Sequence, residues 1–255
     1  MNEGRGVLSI GTTEATNAVG LGLDLRLLAE RGTPGFMVVA AVSAQDRSGI
    51  RDLTPLPPAS LQAQLASIDA ARVGAIRIGA LPSVAAIEVV AAALAHFGGV
   101  PVVLDPVRAG SRGGALTSEE TSAALRERLL TPATVVLPNL GEASALAGFA
   151  VTNDASMEAA GRALVALGAR AVLVTGGHLT GDPTDVLVED ARSLRFTAPR
   201  LAREMRGTGC VLAVSLAAEL ASGEMSLEIA IARARATVRT KIAHARRVGD
   251  QWCAP

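Results

Sequence analysis

Residues 100–142 read VPVVLDPVRAGSRGGALTSEETSAALRERLLTPATVVLPNLGE and contain one complete strand–helix–strand unit. Apolar runs at residues 100–104 and 134–137 flank a helical stretch at residues 118–129. Both runs are apolar throughout, which is typical of parallel strands covered on both faces. Parallel strands joined through a helix form a right-handed crossover. The segment therefore predicts a parallel sheet with helices packed against it.

The same alternation extends to both sides of this unit. Further strands are predicted at residues 7–11, 36–42, 75–78 and 171–175, and an antiparallel hairpin at residues 184–188 and 194–197. Further helices are predicted at residues 21–31, 60–71, 84–97, 141–147, 155–167, 208–221 and 227–246. Ser83 and Thr117 are predicted N-caps, the latter with Glu120 in a capping box. We interpret the Pro-rich residues 53–58 as a loop that leads into a helix, so residues 1–255 are expected to form one domain.

Composition excludes several classes of function. Hydrophobic residues make up 49% of the 255 residues, and 24 basic side chains balance 24 acidic ones. A chain without net charge has no long-range attraction for nucleic acid or for anionic lipid. Two cysteines, no signal-peptide pattern and no apolar run of about 20 residues favour a cytoplasmic protein that is not embedded in a membrane.

A glycine turn before a strongly apolar helix is the first candidate site. It reads Arg206-Gly207-Thr208-Gly209-Cys210. Its backbone N–H groups would lie at a helix N-terminus, whose partial positive charge favours an anion and lowers the pKa of a thiol in the first turn. The alternative is an ordinary turn before a buried helix, with the cysteine as a small core residue. Local sequence leaves both interpretations open.

Asn139 and Glu142 form the second candidate, because they follow a predicted strand at spacing i, i+3. In a helix both side chains would lie on one face, beyond the carboxyl end of the strand, where open α/β sheets bind ligands. An amide and a carboxylate suit Mg²⁺ that is held mainly through water. Asn139 as N-cap of a capping box with Glu142 is the alternative, and the spacing alone favours it.

Two more strand ends carry polar or glycine residues. Thr175-Gly176-Gly177-His178 follows one apolar run, and paired glycines let a nucleotide approach the backbone closely. Asp105 ends another run and could serve a metal or phosphate site, or accept hydrogen bonds from loop amides. A plain loop is the alternative for the glycine segment.

With these motifs in view, the chain resembles the hydroxymethylpyrimidine/phosphomethylpyrimidine kinases of the ribokinase-like superfamily. The matching stretches extend nearly from end to end: residues 8–10, Gly20, 24–25, 44–45, Gly49, 76–81, 103–107, 138–143, 176–179, 195–200 and 207–210. The cysteine that ends the last motif is specific, since most sugar kinases of the superfamily carry aspartate there. The resemblance implies a ribokinase-like three-layer αβα sandwich with a mostly parallel central sheet.

The resemblance also implies an activity, namely phosphoryl transfer from ATP, with Mg²⁺, to 4-amino-5-hydroxymethyl-2-methylpyrimidine or its monophosphate. By the same resemblance the catalytic anion hole would be formed by Gly207, Thr208, Gly209 and Cys210. The pyrimidine site would include Gly11, Gln45, Val107 and Gly20. The nucleotide and phosphate site would include Asn139, Glu142, Thr175 and Gly177, and the metal would be held by Asp105 and Glu142. A homodimer is also implied.

The chain departs from the family pattern around its phosphate site. The family's Gly-rich N-terminal loop here reads Gly11-Thr-Thr-Glu-Ala-Thr-Asn-Ala-Val-Gly20, and the family's lysine before Gly-Gly-His is Thr175. The family's C-terminal His-Gly-x-Gly-Pro stretch is missing. Arg206 or Arg112 could replace the lost lysine charge. We expect the altered loop to weaken use of the pyrimidine phosphate more than binding of ATP.

Three hypotheses follow from these residues. The leading one is an active pyrimidine kinase. The second is a kinase for a related hydroxymethyl compound such as pyridoxal. The third, from a different class, is a paralogue that binds a pyrimidine or nucleotide without turnover, which the altered loop favours and the intact anion turn opposes.

Overall fold

In the computed structural model, residues 5–46, 49–110, 114–190, 192–223, 225–248 and 251–255 are described. Within them, nine strands form one sheet in the order β3-β2-β1-β4-β5-β6-β7-β8-β9. The strands are β1 Gly6–Glu14, β2 Gly35–Asp46, β3 Gly49–Pro55, β4 Val73–Ile78, β5 Val102–Leu104, β6 Val135–Val136, β7 Val172–Thr175, β8 Thr184–Glu189 and β9 Arg192–Thr197. The six strands β1, β2 and β4–β7 run parallel, while β3, β8 and β9 pair antiparallel at the two edges.

Helices cover both faces of this sheet. They are α1 Gly20–Glu30, α2 Pro58–Ala66, α3 Val84–Ala93, α4 Glu119–Leu129, α5 Leu140–Ala147, α6 Asp154–Ala166, α7 Thr208–Ala221 and α8 Leu227–Ala243. One apolar core joins the sheet to α2–α6 through Leu61, Ile87, Leu125, Leu146 and Leu164. A second core on the opposite face joins it to α1, α7 and α8 through Leu23, Leu216 and Ile231. The predicted three-layer αβα fold with a mostly parallel sheet is therefore confirmed.

Helix α7 is the most deeply enclosed of the helices that hold the second core. All residues from Val211 to Leu220 are buried, including the polar Ser215 and Glu219. The helix packs against α1, α8 and the central strands β1, β4 and β5. The sequence bounds predicted for it, residues 208–221, are confirmed, because a Gly-rich turn starts the helix and an uninterrupted Ala/Leu/Val run continues it.

The prediction of a plain loop at residues 53–58 is wrong in its first part. Residues Gly49–Pro55 form β3, which pairs antiparallel with β2 at the edge of the sheet. Most β3 side chains are exposed or half-buried, so the strand lacks the apolar run that marks the buried strands. Its pairing also explains why β2 continues to Asp46, beyond the predicted end at Val42.

Several helix ends differ from the predicted ones. Helix α8 ends at Ala243, before the predicted end at residue 246, because the chain turns into a hairpin of β10 Arg246–Val248 and β11 Gln251–Cys253. Helices α2 and α3 end earlier than predicted and are followed by short 3-10 turns at Ala70–Arg72 and Leu94–Phe97.

The capping predictions had mixed outcomes. Ser83 is the N-cap of α3, as predicted, and its hydroxyl accepts a hydrogen bond from the Ala86 amide at 3.2 Å. The predicted cap at Thr117 with Glu120 is wrong, because the capping box is formed one residue later by Ser118 and Thr121. Ser118 is as good an N-cap type as Thr117, so residue type alone did not distinguish the two.

No helix in the described part of the chain is both long enough and apolar enough to cross a membrane.

Candidate active site

The predicted polar and glycine positions meet at the carboxyl edge of the parallel strands. Asp105 follows β5, Asn139 follows β6 and Gly176 follows β7, and these three strands are direct neighbours in the sheet. Helix α7 packs on β5 and on its neighbours β4 and β1, and the charges of Asp105 and Arg77 act on Cys210 in its first turn. Open α/β sheets bind their ligands at this edge, so the arrangement defines a candidate active site.

The turn before α7 leaves room for an anion. Gly207 is its N-cap, with φ of 81°, and a Cβ there would lie 2.9 Å from the Ala18 carbonyl oxygen. This left-handed backbone and close approach require glycine. Gly209 is exposed, and a Cβ at that residue would have no atom within 4 Å. The Cβ side of Gly209 therefore faces open space at the start of the helix, where the positive end of the helix dipole lies.

Cys210 lies in the first turn of α7 and is half-buried. Burial raises the pKa of its thiol to about 11, although the nearby Arg77 acts in the opposite direction. The prediction that the helix N-terminus lowers this pKa is wrong, because loss of hydration outweighs the attraction of the helix dipole and of Arg77.

A buried ionic cluster lies beside Cys210, and the motif analysis did not single it out. Arg77 of β4 donates from Nη2 to Asp105 Oδ2 at 2.6 Å, and its Nη1 lies 3.5 Å from Asp24 Oδ2. The exposed fractions of Arg77, Asp24 and Asp105 are 1%, 0% and 6%. Burial raises the pKa of Asp24 to about 6 against the attraction of Arg77, and it also raises that of Asp105. The signal in the sequence was one arginine inside an otherwise apolar strand.

Asn139 and Glu142 form a capping box at the start of α5. The Glu142 amide donates to Asn139 Oδ1 at 3.0 Å, and the Asn139 amide donates to Glu142 Oε2 at 2.9 Å. The structural alternative for this pair is thus confirmed. The Glu142 carboxylate nevertheless interacts electrostatically with Asp105. Burial and the Asp105 charge together raise the pKa of Glu142 to about 8.

The loop after β7 is open on its glycine side. Thr175 forms a bridge to Asn139, and a Cβ at Gly177 would have no atom within 4 Å. The Gly176 amide donates to Asp185 Oδ1 at 3.0 Å. His178 is exposed. The loop therefore offers a bare backbone surface next to the start of α5.

Arg200 fixes the far side of this loop. Its guanidinium donates to the carbonyl oxygens of Gly177, at 3.1 Å, and of Gly181, at 2.7 Å, and also to that of Leu179. Its own amide donates to Asp182 Oδ1 at 3.0 Å. Sequence reasoning missed this function, because Arg200 lies after β9 and nothing local links it to residues 177–181.

Two of the residues expected around the pyrimidine, Gly11 and Gln45, each lie beside an arginine. Gly11 is buried beside the Arg77 guanidinium, where an added Cβ would lie 3.6 Å from Nη1. Gln45 accepts a hydrogen bond from Arg206 Nη2 at 2.6 Å, and its Nε2 donates to Ser43 Oγ at 2.9 Å. Arg206 therefore links Gln45 to the turn before α7.

Val107 and Gly20 are the other two residues expected around the pyrimidine. Val107 is half-buried, two residues after Asp105. Gly20 has φ of 67°, and a Cβ there would lie 2.5 Å from the Thr12 carbonyl oxygen. Arg112, proposed as a substitute for the missing lysine charge, lies outside the described residues.

The described residues bring together no group of three His, Cys, Asp or Glu side chains that could hold a metal ion. Asp105 and Glu142 are close but are only two, and Arg77 already occupies one Asp105 oxygen. A pair of buried carboxylates, one of which raises the pKa of the other, fits a hard divalent cation whose remaining ligands are water and substrate oxygens.

Comparison with known proteins adds the following. The family model described as phosphomethylpyrimidine kinase matches residues 15–255. The hydroxymethylpyrimidine/phosphomethylpyrimidine kinase of Streptomyces coelicolor is 36% identical over 231 residues, which cover 90% of this chain and 85% of that protein. The protein of the same name from Haemophilus influenzae is 34% identical and covers 98% of this chain and 95% of its own length.

Among solved structures, an ADP complex of Bacillus subtilis pyridoxal kinase superposes with a TM-score of 0.90 at 27% identity, covering 98% of this chain and 97% of that one. Pyridoxal kinase from Staphylococcus aureus in complex with AMP-PCP and pyridoxal superposes with a TM-score of 0.89 at 25% identity, covering 98% and 93%.

Proposed function

The chain belongs to the phosphomethylpyrimidine kinase family, and from this premise we propose that it transfers the terminal phosphoryl group of ATP to hydroxymethylpyrimidine or to its monophosphate, in thiamine biosynthesis. It is a phosphotransferase. The observation that carries the proposal is the open space over Gly209, at the N-terminus of a buried helix and beside the Asp105 cluster. Phosphoryl transfer depends mainly on positioning and on stabilisation of charge, and this turn provides both.

Each part of the site has a task in this proposal. The amides at Gly209 and Cys210 bind the phosphoryl oxygens, with the α7 dipole favouring their negative charge. The bare backbone at Gly177 contacts the nucleotide, and Arg200 keeps that backbone in place. Gln45, held by Arg206, reads the edge of the pyrimidine with an amide that both donates and accepts.

The proposal also includes Mg²⁺ at Asp105 and Glu142. When bound, the ion would neutralise negative charge that develops on the phosphate oxygens. Asp105 is oriented by Arg77, and Glu142 is oriented by the Asn139 amide. The raised pKa of Glu142 means that its carboxyl group must release a proton before it can bind the cation at neutral pH.

Pyridoxal is the second candidate acceptor. The pyridoxal kinase of Bacillus subtilis superposes with a TM-score of 0.90, whereas a phosphomethylpyrimidine kinase from Clostridium difficile superposes with a TM-score of 0.79. Pyridoxal carries a hydroxymethyl group on an aromatic nitrogen ring, as hydroxymethylpyrimidine does. The same anion turn could therefore serve either compound.

A coupled assay of ADP release tests the proposal. Hydroxymethylpyrimidine, its monophosphate and pyridoxal are supplied in parallel with MgATP to the full chain. Turnover of a pyrimidine that exceeds turnover of pyridoxal supports the proposed function, and the reverse order supports the second candidate. ADP release that no acceptor stimulates contradicts both.

Three further points remain part of the proposal. Residues 1–255 act as one kinase domain, two copies form a homodimer, and the protein works in the cytoplasm. Light scattering at micromolar concentration tests the dimer, and a mass of about 26 kDa would contradict it, because the chain weighs 25.9 kDa.

A further inference from the structure

The loop between β1 and α1 is closed around a buried carboxylate. Glu14 is 4% exposed and lies at the end of β1. Its side chain accepts hydrogen bonds from the amides of Thr16 at 2.8 Å, Ala18 at 2.7 Å and Val19 at 3.3 Å. The Thr16 hydroxyl donates to both Glu14 oxygens, at 2.8 and 2.7 Å. Three backbone N–H groups and one hydroxyl thus converge on a single anionic group.

The loop's own residues hold this conformation. Asn17 has φ of 54°, a left-handed conformation that Asn adopts more readily than most residues. Its side chain fills the space that a Cβ at Gly22 would occupy in the first turn of α1. The loop is therefore held by hydrogen bonds to Glu14 and by the contact of Asn17 with α1.

This loop touches the candidate anion hole directly. A Cβ at Gly207 would lie 2.9 Å from the Ala18 carbonyl oxygen and 3.3 Å from Val19 Cγ1. An acceptor bound in front of the turn is therefore next to residues 18–19. The loop presents a carbonyl oxygen to the turn, while the neighbouring amides point to Glu14.

Convergent backbone N–H groups form a binding site for an anion. In this loop the anion is already supplied by the chain itself. A hydroxymethyl acceptor is neutral and needs no such donors, whereas its monophosphate brings about two further negative charges at neutral pH. Those charges would lie near the buried Glu14 carboxylate and the Ala18 carbonyl oxygen. The loop amides that could have donated hydrogen bonds to the phosphate already donate to Glu14.

We propose that Glu14 makes this kinase selective for the neutral hydroxymethyl acceptor over the phosphorylated one, by occupying the loop amides and by adding negative charge beside the anion hole. This inference rests on the proposed function and specifies its substrate. Glu14 is a specificity-determining residue in this scheme and takes no part in the transfer itself.

The test compares both acceptors in wild type and Glu14→Gln, with the full chain and MgATP. Gln keeps the size of the side chain and one accepting oxygen but removes the charge. Wild type should use hydroxymethylpyrimidine at least tenfold better than its monophosphate, measured as kcat/KM. Glu14→Gln should reduce that preference at least tenfold, chiefly through a lower KM for the monophosphate, with the KM for ATP unchanged.

Two further variants separate charge from loop structure. Glu219→Gln removes another buried carboxylate, near the far end of α7, and should keep the wild-type preference. Thr16→Val removes the hydroxyl donor but keeps the Glu14 charge, so it should also keep the preference. A loss of preference in Thr16→Val equal to that in Glu14→Gln would overturn the inference, because loop geometry alone would then explain it.

Other results of these assays also support or overturn the selectivity assigned to Glu14. Equal use of both acceptors by wild type overturns the inference, as does an unchanged preference in folded Glu14→Gln. If Glu14→Gln does not fold, the wild-type preference decides. If wild type phosphorylates neither compound, the proposed function fails, and calorimetric titration of both compounds with a non-hydrolysable ATP analogue present decides the inference. Tenfold tighter binding of the alcohol supports it, whereas equal binding, or binding of neither, overturns it.

Discussion

The guanidinium of Arg77 and the carboxylate of Asp105 meet inside the protein, with Nη2 2.6 Å from Oδ2. Asp24 lies on the other side of the same guanidinium, so one buried cation faces two buried carboxylates. Burial penalises each charge, and their mutual attraction opposes that penalty. Because Asp105 is also the candidate metal residue and Cys210 lies beside Arg77, this cluster connects the stability of the core to the geometry of the site.

Removing the cation should destabilise the protein strongly. Arg77→Met leaves Asp24 and Asp105 buried without a partner, which we expect to lower the free energy of unfolding by about 3–5 kcal/mol. Arg195→Met is the matched control, because Arg195 pairs with Glu158 at 3.1 Å on the surface and the pair should contribute less than about 1 kcal/mol. Urea unfolding measures both variants. Equal losses in the two would contradict the importance of the buried cluster.

Asp24 should give stability a distinctive pH dependence. Its pKa is raised from 3.8 to about 6 in the folded protein, so between these values the folded state binds more protons than the unfolded state. The contribution of Asp24 is therefore fully present below pH 4 and is lost as the pH rises to 6, by roughly 3 kcal/mol. Asp24→Asn should lack this decline. Urea unfolding of both proteins between pH 4 and 7 gives the difference, and parallel curves would argue against a raised pKa.

Two glycines of the anion turn should respond to alanine in opposite ways. Gly209→Ala meets no atom within 4 Å and lies in a helix, so stability should stay equal or rise by up to about 1 kcal/mol. Its methyl group would nevertheless occupy the anion space, and the affinity for a non-hydrolysable ATP analogue, measured by calorimetry, should fall at least tenfold. Gly207→Ala forces φ of 81° on a residue with a Cβ and should cost about 1–2 kcal/mol or more. Unchanged binding of the ATP analogue by Gly209→Ala would rule out this turn as the site of the terminal phosphate.

The Cys210 thiol should react slowly with alkylating reagents. With a pKa of about 11, its thiolate fraction at pH 7.5 is about two orders of magnitude below that of an ordinary cysteine. In Cys253→Ala, which leaves Cys210 as the remaining cysteine, labelling by iodoacetamide should be much slower in the native state than in urea. Bound MgATP should slow it further. Native labelling as fast as that of the unfolded chain would show that the thiol is neither buried nor shifted.

The parallel core and the anion turn could be predicted because their signals are local. Runs such as residues 171–174 are apolar throughout because both faces of the strand are covered, and Gly207 marks a left-handed turn that other residues resist. Asp105 could be placed at the carboxyl edge for the same reason, since it directly follows a buried run.

Other features depend on distant segments and left no local pattern. Arg77 is balanced by Asp24 and Asp105, which come from α1 and from the end of β5. Arg200 contacts a loop about twenty residues earlier in the chain. The pKa of Cys210 was predicted in the wrong direction because the helix position is visible in the sequence, whereas the burial that outweighs it comes from the tertiary fold.

Arg200 should control the affinity for ATP without touching the reacting atoms. Its guanidinium donates to three carbonyl oxygens of the loop at residues 177–181, and in the proposed function the bare backbone at Gly177 contacts the nucleotide. Arg200→Ala removes the donors to these carbonyl groups, so the loop becomes ordered only when ATP binds, and the entropy lost in that step weakens binding. The KM for ATP should therefore rise about tenfold, with a smaller change in kcat.

Two comparisons identify the cause of that change. Arg200→Lys keeps the charge but loses the planar fork of donors, so it should resemble Arg200→Ala if the hydrogen bonds matter and wild type if only charge matters. Arg170→Ala removes a positive charge before the N-terminal end of β7, whereas the loop at residues 177–181 follows the C-terminal end. This control should leave the KM for ATP unchanged. An Arg200→Ala enzyme with a wild-type KM for ATP would mean that the loop keeps its shape unaided, and that its glycines alone form the nucleotide surface.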